Sequence, residues 1–190
     1  MSDRENILSA IRANRPQEEI PLPDLSGLGR ALGDRTETFI RMLESVGGEA
    51  VWLDGRGIDS VIRTCYPEAE VICSAVPDAP LGIAAPDDAH MLTDLDLAIL
   101  PGAFAVAENG AVWVENRSGG DRTLPFIAEN LLLVVLQEEI VDTMHEAYAR
   151  IDFAEAGFGV FISGPSKTAD IEQALVIGAH GAKHLTVLLV

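Results

Sequence analysis

The sequence predicts an α/β fold of three layers, in which helices cover both faces of a mostly parallel sheet and an antiparallel hairpin interrupts it. Two observations support this prediction. Segments that are almost continuously apolar, such as 131–136, alternate with amphipathic helical segments, which is typical of a parallel sheet buried on both faces. Asn109-Gly110 stands between two apolar runs in 104–116, and this dipeptide is a strong short-range signal for a β-hairpin.

The first helix is predicted at the N-terminus. Ser2 and Glu5 form a capping box. Three apolar residues then follow at helical spacing: Ile7, Leu8 and Ile11. The helix stops before Pro16, and the prolines and glycines beyond it predict an extended arm. We therefore divide the chain into an N-terminal helix and arm, 1–33, and a single domain, 34–190. The helix is either a loose extension or a segment that docks on a partner subunit.

Helices and strands then alternate through the domain. From apolar residues at helical spacing, helices are predicted at 39–46, 58–65, 140–151 and 168–177. From short apolar runs, strands are predicted at 50–53, 70–74, 95–100, 131–136, 159–163 and 184–190. We expect the strands outside the hairpin to form the parallel sheet.

Composition and charge argue against several classes of protein. The net charge of −17 disfavours nucleic acid and anionic membrane surfaces as partners, because both are negatively charged. The N-terminus has no apolar signal segment, and the longest apolar run, 131–136, is far too short to cross a bilayer. We therefore expect a cytoplasmic protein with no nucleic-acid or membrane partner. The two cysteines, Cys65 and Cys73, are too few for an iron–sulfur cluster in this chain, and the residues identify no other cofactor.

The first candidate site lies between the predicted strand 159–163 and the predicted helix 168–177. It comprises five consecutive residues: Gly164, Pro165, Ser166, Lys167 and Thr168. In one interpretation the segment only caps the helix, with Ser166 or Thr168 as the N-cap. Two acids near the helix start would then complement its dipole: Asp170 and Glu172.

In the other interpretation the same segment binds an anion. Gly164 lets the backbone approach a ligand closely, and Pro165 fixes the turn. Free N–H groups at a helix start bind phosphate or carboxylate, and Lys167 would add positive charge. The segment is not a Walker loop, because the GxxxxGK[ST] pattern is absent. We expect it at the carboxyl ends of the parallel strands, where ligands of open α/β sheets bind.

The hairpin turn is the second candidate site. It is formed by Glu108, Asn109 and Gly110. Either Glu108 is a solvated acid on an ordinary turn, or it is a carboxylate held near the ligand, where it would act as a general base or a nucleophile. The residues alone leave both interpretations open.

A third candidate is Arg122, which follows two glycines and Asp121. Its guanidinium would either clamp a carboxylate substrate or form a surface pair with Asp121. His180 and His184 have no third ligand close in sequence, so we expect no metal site. His180 would cap the preceding helix or face the 164–168 segment. We expect Glu108, Arg122 and that segment to converge on one pocket.

Three segments together resemble the LUD-domain family. They are AVAENGAVWVE, GGDRTLPF and SGPSKTADIEQALVIGAHGAKHLTVLLV, the last of which covers the C-terminal 28 residues without a gap. The sequence departs from the family pattern at Asn109, where a threonine is common. It also departs at Glu129-Asn130, where a proline pair often precedes the next strand. These two departures bear on which substrate the chain would take, and not on its resemblance to the family.

The resemblance implies a fold of the NagB/RpiA/CoA-transferase type and a part in the oxidation of L-lactate to pyruvate. It implies that this chain is the subunit without clusters, that it binds a small carboxylate or phosphate-bearing ligand, and that it docks on iron–sulfur subunits or pairs with a second copy. It favours a ligand cradle at Gly164–Thr168. Two alternatives stay open: a stand-alone enzyme of the CoA-transferase or cyclo-ligase type with Glu108 as the reacting carboxylate, and an assembly factor with an empty pocket.

Overall fold

The computed structural model describes residues 2–15, 21, 23–24, 33–76, 92–115, 122–152, 157–168 and 176–190. Five α-helices lie within these residues: α1 (Asp3–Ala13), α2 (Arg35–Ser45), α3 (Ile58–Cys65), α4 (Leu124–Ile127) and α5 (Met144–Arg150). The same residues contain eleven strands: β1 (Glu49–Trp52), β2 (Ile72–Ser74), β3 (Leu97–Pro101), β4 (Phe104–Val106), β5 (Ala111–Glu115), β6 (Asn130–Val135), β7 (Ile140–Val141), β8 (Gly159–Ile162), β9 (Lys167–Thr168), β10 (Val176–Ile177) and β11 (His184–Leu189). A 3-10 turn, Gln137–Glu139, joins β6 to β7.

Five strands form a parallel sheet in the order β1-β11-β6-β3-β2. The two central strands, β11 and β6, pair over their whole length, with Val187 opposite Leu133. Both of these side chains are fully buried. The α/β class and the mostly parallel sheet predicted from the sequence are confirmed.

The parallel sheet is covered on both faces, which explains why its strands read as continuous apolar runs. On one face α3 contributes Val61 and Ile62, which pack against Ile99 of β3. On the other face α2 contributes Phe39 and Leu43, which share a core with residues of a second sheet. The main core therefore lies between the parallel sheet and this second sheet.

The second sheet is mixed and has the order β7-β4-β5-β8. β4 and β5 form the predicted antiparallel hairpin, with its turn at Asn109-Gly110, and β7 adds parallel to β4. β8 pairs antiparallel with β5, so Phe161 lies opposite Trp113. The expectation that 159–163 belongs to the parallel sheet is therefore wrong, because this strand extends the hairpin instead. Helix α5 packs on the outer face of the mixed sheet through Ala147 and Ile151.

Two predicted helices differ from the structure. Residues 140–141 form β7, so the helix predicted for 140–151 is confined to α5. The helix predicted for 168–177 is wrong at both ends, because β9 and β10 pair antiparallel there. β-Branched residues in these short strands, Thr168, Val176 and Ile177, favour extended backbone. Asp170 and Glu172 lie outside the described residues.

Helix α1 begins with the predicted capping box. The Glu5 N–H donates to the Ser2 hydroxyl, and the Ser2 N–H donates to the Glu5 carboxylate. No residue of α1 is buried by the described part of the chain. Within that part, no helix is long and apolar enough to cross a membrane. The division into 1–33 and 34–190 stays a prediction.

Candidate functional site

The hairpin turn and the start of the 164–168 segment meet at one edge of the mixed sheet, where β4, β7 and β8 end. The Glu108 N–H donates to the Asp142 carbonyl at 3.1 Å, just after β7. The Ser163 hydroxyl donates to the Asn109 carbonyl at 2.7 Å. The structure thus places the hairpin turn against Ser163, the residue directly before the 164–168 segment. They meet at the carboxyl ends of strands in the mixed sheet, not in the parallel sheet.

Helix α2 lies along this edge, and two glycines permit the close approach. Gly110 has φ +65°, and a Cβ on it would lie 2.5 Å from the Leu43 nitrogen. Gly164 has φ +73°, and a Cβ there would overlap the Val46 carbonyl oxygen. Both positions therefore need a residue that adopts positive φ and has no side chain. The packing fixes the two candidate loops against one helix.

Glu108 is exposed on this fixed turn. Asn109 holds the turn through its side-chain oxygen, which accepts from the Ala111 N–H at 3.1 Å, and the Gly110 N–H donates to the Val106 carbonyl. The turn is therefore well supported by hydrogen bonds. Its carboxylate is nevertheless not among the described residues that line the clefts discussed below.

Lys167 contacts the C-terminal end of α2. Its ammonium group donates to the carbonyl of Val46, the C-cap residue of α2. A cation is favourable at this point, because the C-terminal carbonyls of a helix carry partial negative charge. Thr168 lies in β9 and is paired with Val176 of β10. Anion binding by the 164–168 segment stays a prediction.

The 164–166 segment instead lines a cleft of about 270 Å³, which we call the loop cleft. Four of the predicted ligand residues lie in its wall: Gly164, Pro165, Ser166 and His180. The Ser166 N–H donates to the Ala182 carbonyl at 2.9 Å, two residues before β11 begins. The loop cleft therefore opens at the amino-terminal edge of the parallel sheet. The expected position at the carboxyl ends of that sheet is wrong, because β8 belongs to the mixed sheet.

The loop cleft combines an apolar floor with polar backbone. Its floor includes Leu131 and Leu185, both buried. The backbone N–H groups of Gly164, His180 and Gly181 donate no hydrogen bond to another described residue. Such a cleft suits a small ligand with an apolar body and a group that accepts hydrogen bonds.

Arg122 and His184 take different positions. Arg122 is exposed and lies two residues before α4, whose Phe126 lines the loop cleft. Among the described residues, no contact joins Arg122 to Glu108, so convergence of all three clusters stays a prediction. His184 begins β11 and lines another cleft of about 240 Å³ with Tyr66. Among the described residues, no group of three or more His, Cys, Asp or Glu side chains could hold a metal ion.

A second cleft, of about 420 Å³, adjoins the loop cleft and shares Phe126, His180 and Gly181 with it. Three carboxylates line it, and we call it the acidic cleft: Asp94, Asp96 and Glu129. Asp96 accepts from two backbone N–H groups at 2.9 and 2.8 Å, and Glu129 pairs with Lys183 at 2.8 Å. Sequence reasoning missed this cleft, because its acids lie before strands and not in a recognisable motif.

Tyr66 is a further polar group, half-buried, that sequence reasoning missed. Its hydroxyl donates to the Thr186 hydroxyl at 2.6 Å, across the face of the parallel sheet. Burial raises the pKa of Tyr66 to about 12, because the phenolate would lose its hydration there. Burial also raises the pKa of the Cys65 and Cys73 thiols. Neither thiol is therefore activated as a nucleophile.

Comparison with known proteins identifies related chains. The LUD domain model matches residues 87–190. Lactate utilization protein C of Deinococcus radiodurans is 33% identical, over 95% of this chain and 90% of its own length. Lactate utilization protein C of Geobacillus sp. strain WCH70 is 27% identical, over 98% of this chain and 79% of its own. The crystal structure of a DUF162 family protein from Deinococcus radiodurans has the same fold, with a TM-score of 0.61 at 19% identity, over 82% of this chain and 95% of that one.

Proposed function

Because the chain belongs to the LUD-domain family, we propose that it acts in lactate utilization as a subunit without a redox cluster and holds a small carboxylate ligand in the loop cleft. The names of its relatives support the role in lactate utilization. The family resemblance and the loop cleft together support a ligand-binding role in the oxidation of L-lactate to pyruvate.

One observation supports the ligand site above all. Four residues singled out from the sequence line one cleft: Gly164, Pro165, Ser166 and His180. Its volume of about 270 Å³ is just below the range of about 300–1,000 Å³ that is usual for drug-sized ligands. A three-carbon acid fits such a space. Its methyl group would face the apolar floor. Its carboxylate would accept from the N–H groups of Gly164 and Gly181, which donate to no other described residue.

The redox step would belong to a partner. Oxidation of L-lactate to pyruvate removes two electrons and two protons, and an acceptor must take up both electrons. Two cysteines in the whole chain are too few to hold an iron–sulfur cluster. We therefore propose iron–sulfur subunits as the electron acceptors, with this chain binding the organic acid beside them.

The stand-alone enzyme is less well supported. It requires Glu108 as the reacting carboxylate, and a reacting group has to reach its substrate within hydrogen-bonding distance. Glu108 is exposed and lies outside the described lining of the loop cleft. We therefore expect the purified chain to show no turnover of L-lactate alone, and turnover when cluster-bearing partners are added.

Binding is the direct test. L-Lactate and pyruvate are titrated into the purified chain by isothermal calorimetry, with His180→Ala as the site variant. His145→Ala is the matched control, because His145 is an exposed histidine on α5, away from the cleft. His180 also lines the cleft, and we propose that its ring donates a charge-assisted hydrogen bond to the ligand carboxylate. We expect saturable binding that His180→Ala weakens at least about 10-fold, the value of that lost bond, and that His145→Ala leaves unchanged.

A genetic test addresses the role in the cell. A strain lacking the gene should fail to grow on L-lactate and should be restored by the wild-type chain. The His180→Ala variant should restore growth less well than His145→Ala. Normal growth of the deletion strain on L-lactate would contradict the role in lactate utilization. Equal affinity of the two variants would contradict the loop cleft as the site.

A further inference from the structure

Helix α1 presents an apolar stripe of three residues, of which Leu8 is half-buried and the two isoleucines are exposed. Ile7, Leu8 and Ile11 recur at a spacing that places them on one face of the helix. Ile7 is 61% exposed and Ile11 is 60% exposed. A helix of 11 residues is marginal in water by itself, since isolated helices shorter than about 12–15 residues rarely persist. The stripe therefore needs a surface to cover it.

The domain carries a matching apolar surface around the acidic cleft. Phe126 and Ile127 are exposed and line this cleft. Exposed Ile177 is followed directly by a glycine that also lines it. Exposed Val71 is joined to Asp96 of the cleft by a backbone hydrogen bond of 3.0 Å. Exposed apolar side chains gathered in this way mark an interaction surface.

The charges of the two surfaces are complementary. The acidic cleft is lined by three carboxylates: Asp94, Asp96 and Glu129. Its one lysine, among the lining residues described, is paired with Glu129. The N-terminal segment carries three arginines against two acids, although the whole chain has a net charge of −17: Arg4, Arg12 and Arg15. An arginine-bearing apolar helix therefore fits an acidic cleft with an apolar rim.

We propose that α1 of one copy docks on the acidic cleft of a second copy of this chain, and that the exchange is reciprocal. The apolar stripe would cover Phe126, Ile127 and Ile177, and the arginines would face the carboxylates. Reciprocity matters because specific interfaces bury about 1,200–2,000 Å² in total, and one helix of three turns covers only part of that area. A two-fold axis makes the same contact twice, as in most homodimers.

The test measures the oligomeric state of the full chain by sedimentation velocity over a range of concentrations. The stripe variant is Ile7→Asp with Ile11→Asp, and both positions are exposed, so the domain stays folded. The matched control, Asn6→Asp with Ser9→Asp, adds the same charge to the opposite face of α1. We expect a dimer for the wild type and the control, and a dissociation constant raised at least about 10-fold in the stripe variant. Raising the salt from about 0.05 to about 0.5 M should also weaken the wild-type dimer.

A mixing experiment tests the pairing of the two surfaces. The cleft variant, Ile127→Glu with Ile177→Glu, should be monomeric alone, with a circular-dichroism spectrum like that of the wild type. Mixed with the stripe variant, it should form a 1:1 heterodimer. The cleft variant keeps the apolar stripe of α1, and the stripe variant keeps the acidic cleft that receives it. A monomeric wild type, a dimer indifferent to the stripe substitutions, or no heterodimer on mixing would each overturn the proposal.

Discussion

The parallel sheet and the mixed sheet contribute differently to this molecule. The parallel sheet places its central strands, β6 and β11, between packed layers on both faces, and its side chains there are buried. The mixed sheet ends in β8, a strand that is only half-buried along its length. The candidate loops follow strands of the mixed sheet, and α2 fixes them in place. The comparison indicates that the buried interior strands form the core, whereas half-buried β8 and the loop that follows it leave groups available for binding.

The largest expected effect tests this difference directly. Leu133→Ala removes a fully buried side chain from β6 and should lower the free energy of unfolding by about 2–5 kcal/mol. Val160→Ala in half-buried β8 should cost at most about 1 kcal/mol. Urea denaturation of both variants measures the two costs. Equal costs would show that β8 is as important to stability as β6.

The next effect concerns the close packing of the hairpin turn against α2. Gly110→Ala would place a Cβ against the backbone of Leu43 at a residue with φ +65°. We expect a loss of about 3 kcal/mol, from left-handed strain and from overpacking together. Gly55→Ala is the matched control, because Gly55 has φ +72° and nothing within 4 Å of a Cβ. It should cost about 1 kcal/mol, the strain alone. Urea denaturation measures the loss in free energy of unfolding for each variant. Similar losses would mean that α2 shifts to make room for the added Cβ.

The same contrast explains how much of the fold could be predicted from the sequence. The apolar run 131–136 and the dipeptide Asn109-Gly110 carry local signals, and both predicted elements are present. The strand 159–163 was correctly predicted as a strand, yet its sheet was not, because an apolar run does not show which neighbour it pairs with. The helix predicted for 168–177 failed at its ends, where β-branched residues pair across a short ribbon.

The candidate site was predictable to a similar degree. Sequence chemistry identified Ser166 and His180, and the structure places both in one cleft. The sequence did not predict the contact of Lys167, because its partner is the end of a helix more than 100 residues away in the chain. The acids of the acidic cleft were missed for the same reason, since tertiary packing alone brings them together.

The free energy of unfolding should depend on pH through Tyr66, which packs on a face of the parallel sheet. The pKa of Tyr66 is about 12 in the folded chain against an ordinary value of 10, because burial disfavours the phenolate. The neutral hydroxyl therefore contributes stability that is fully present below pH 10 and is lost as the pH rises towards 12. Over that window the wild type should lose about 2–3 kcal/mol more than Tyr66→Phe does. Urea denaturation at pH 8 and at pH about 11.5 measures the difference. Identical pH dependence in both chains would contradict the burial of this hydroxyl.

The smallest effect separates a structural lysine from a ligand-binding one. Lys167 donates to the Val46 carbonyl at the end of α2, and its side chain is exposed. Lys167→Ala should therefore lower the free energy of unfolding by no more than about 1 kcal/mol. Lys183→Ala, which removes the surface pair with Glu129, should cost a similarly small amount and serves as the control. With the ammonium group occupied on α2, we expect neither substitution to change the affinity for L-lactate by calorimetry. If Lys167→Ala weakened that affinity 10-fold or more, about 1.4 kcal/mol of binding free energy, the lysine would have to leave the helix end to meet the ligand. The mixed-sheet edge would then be a moving part of the site and not a fixed support.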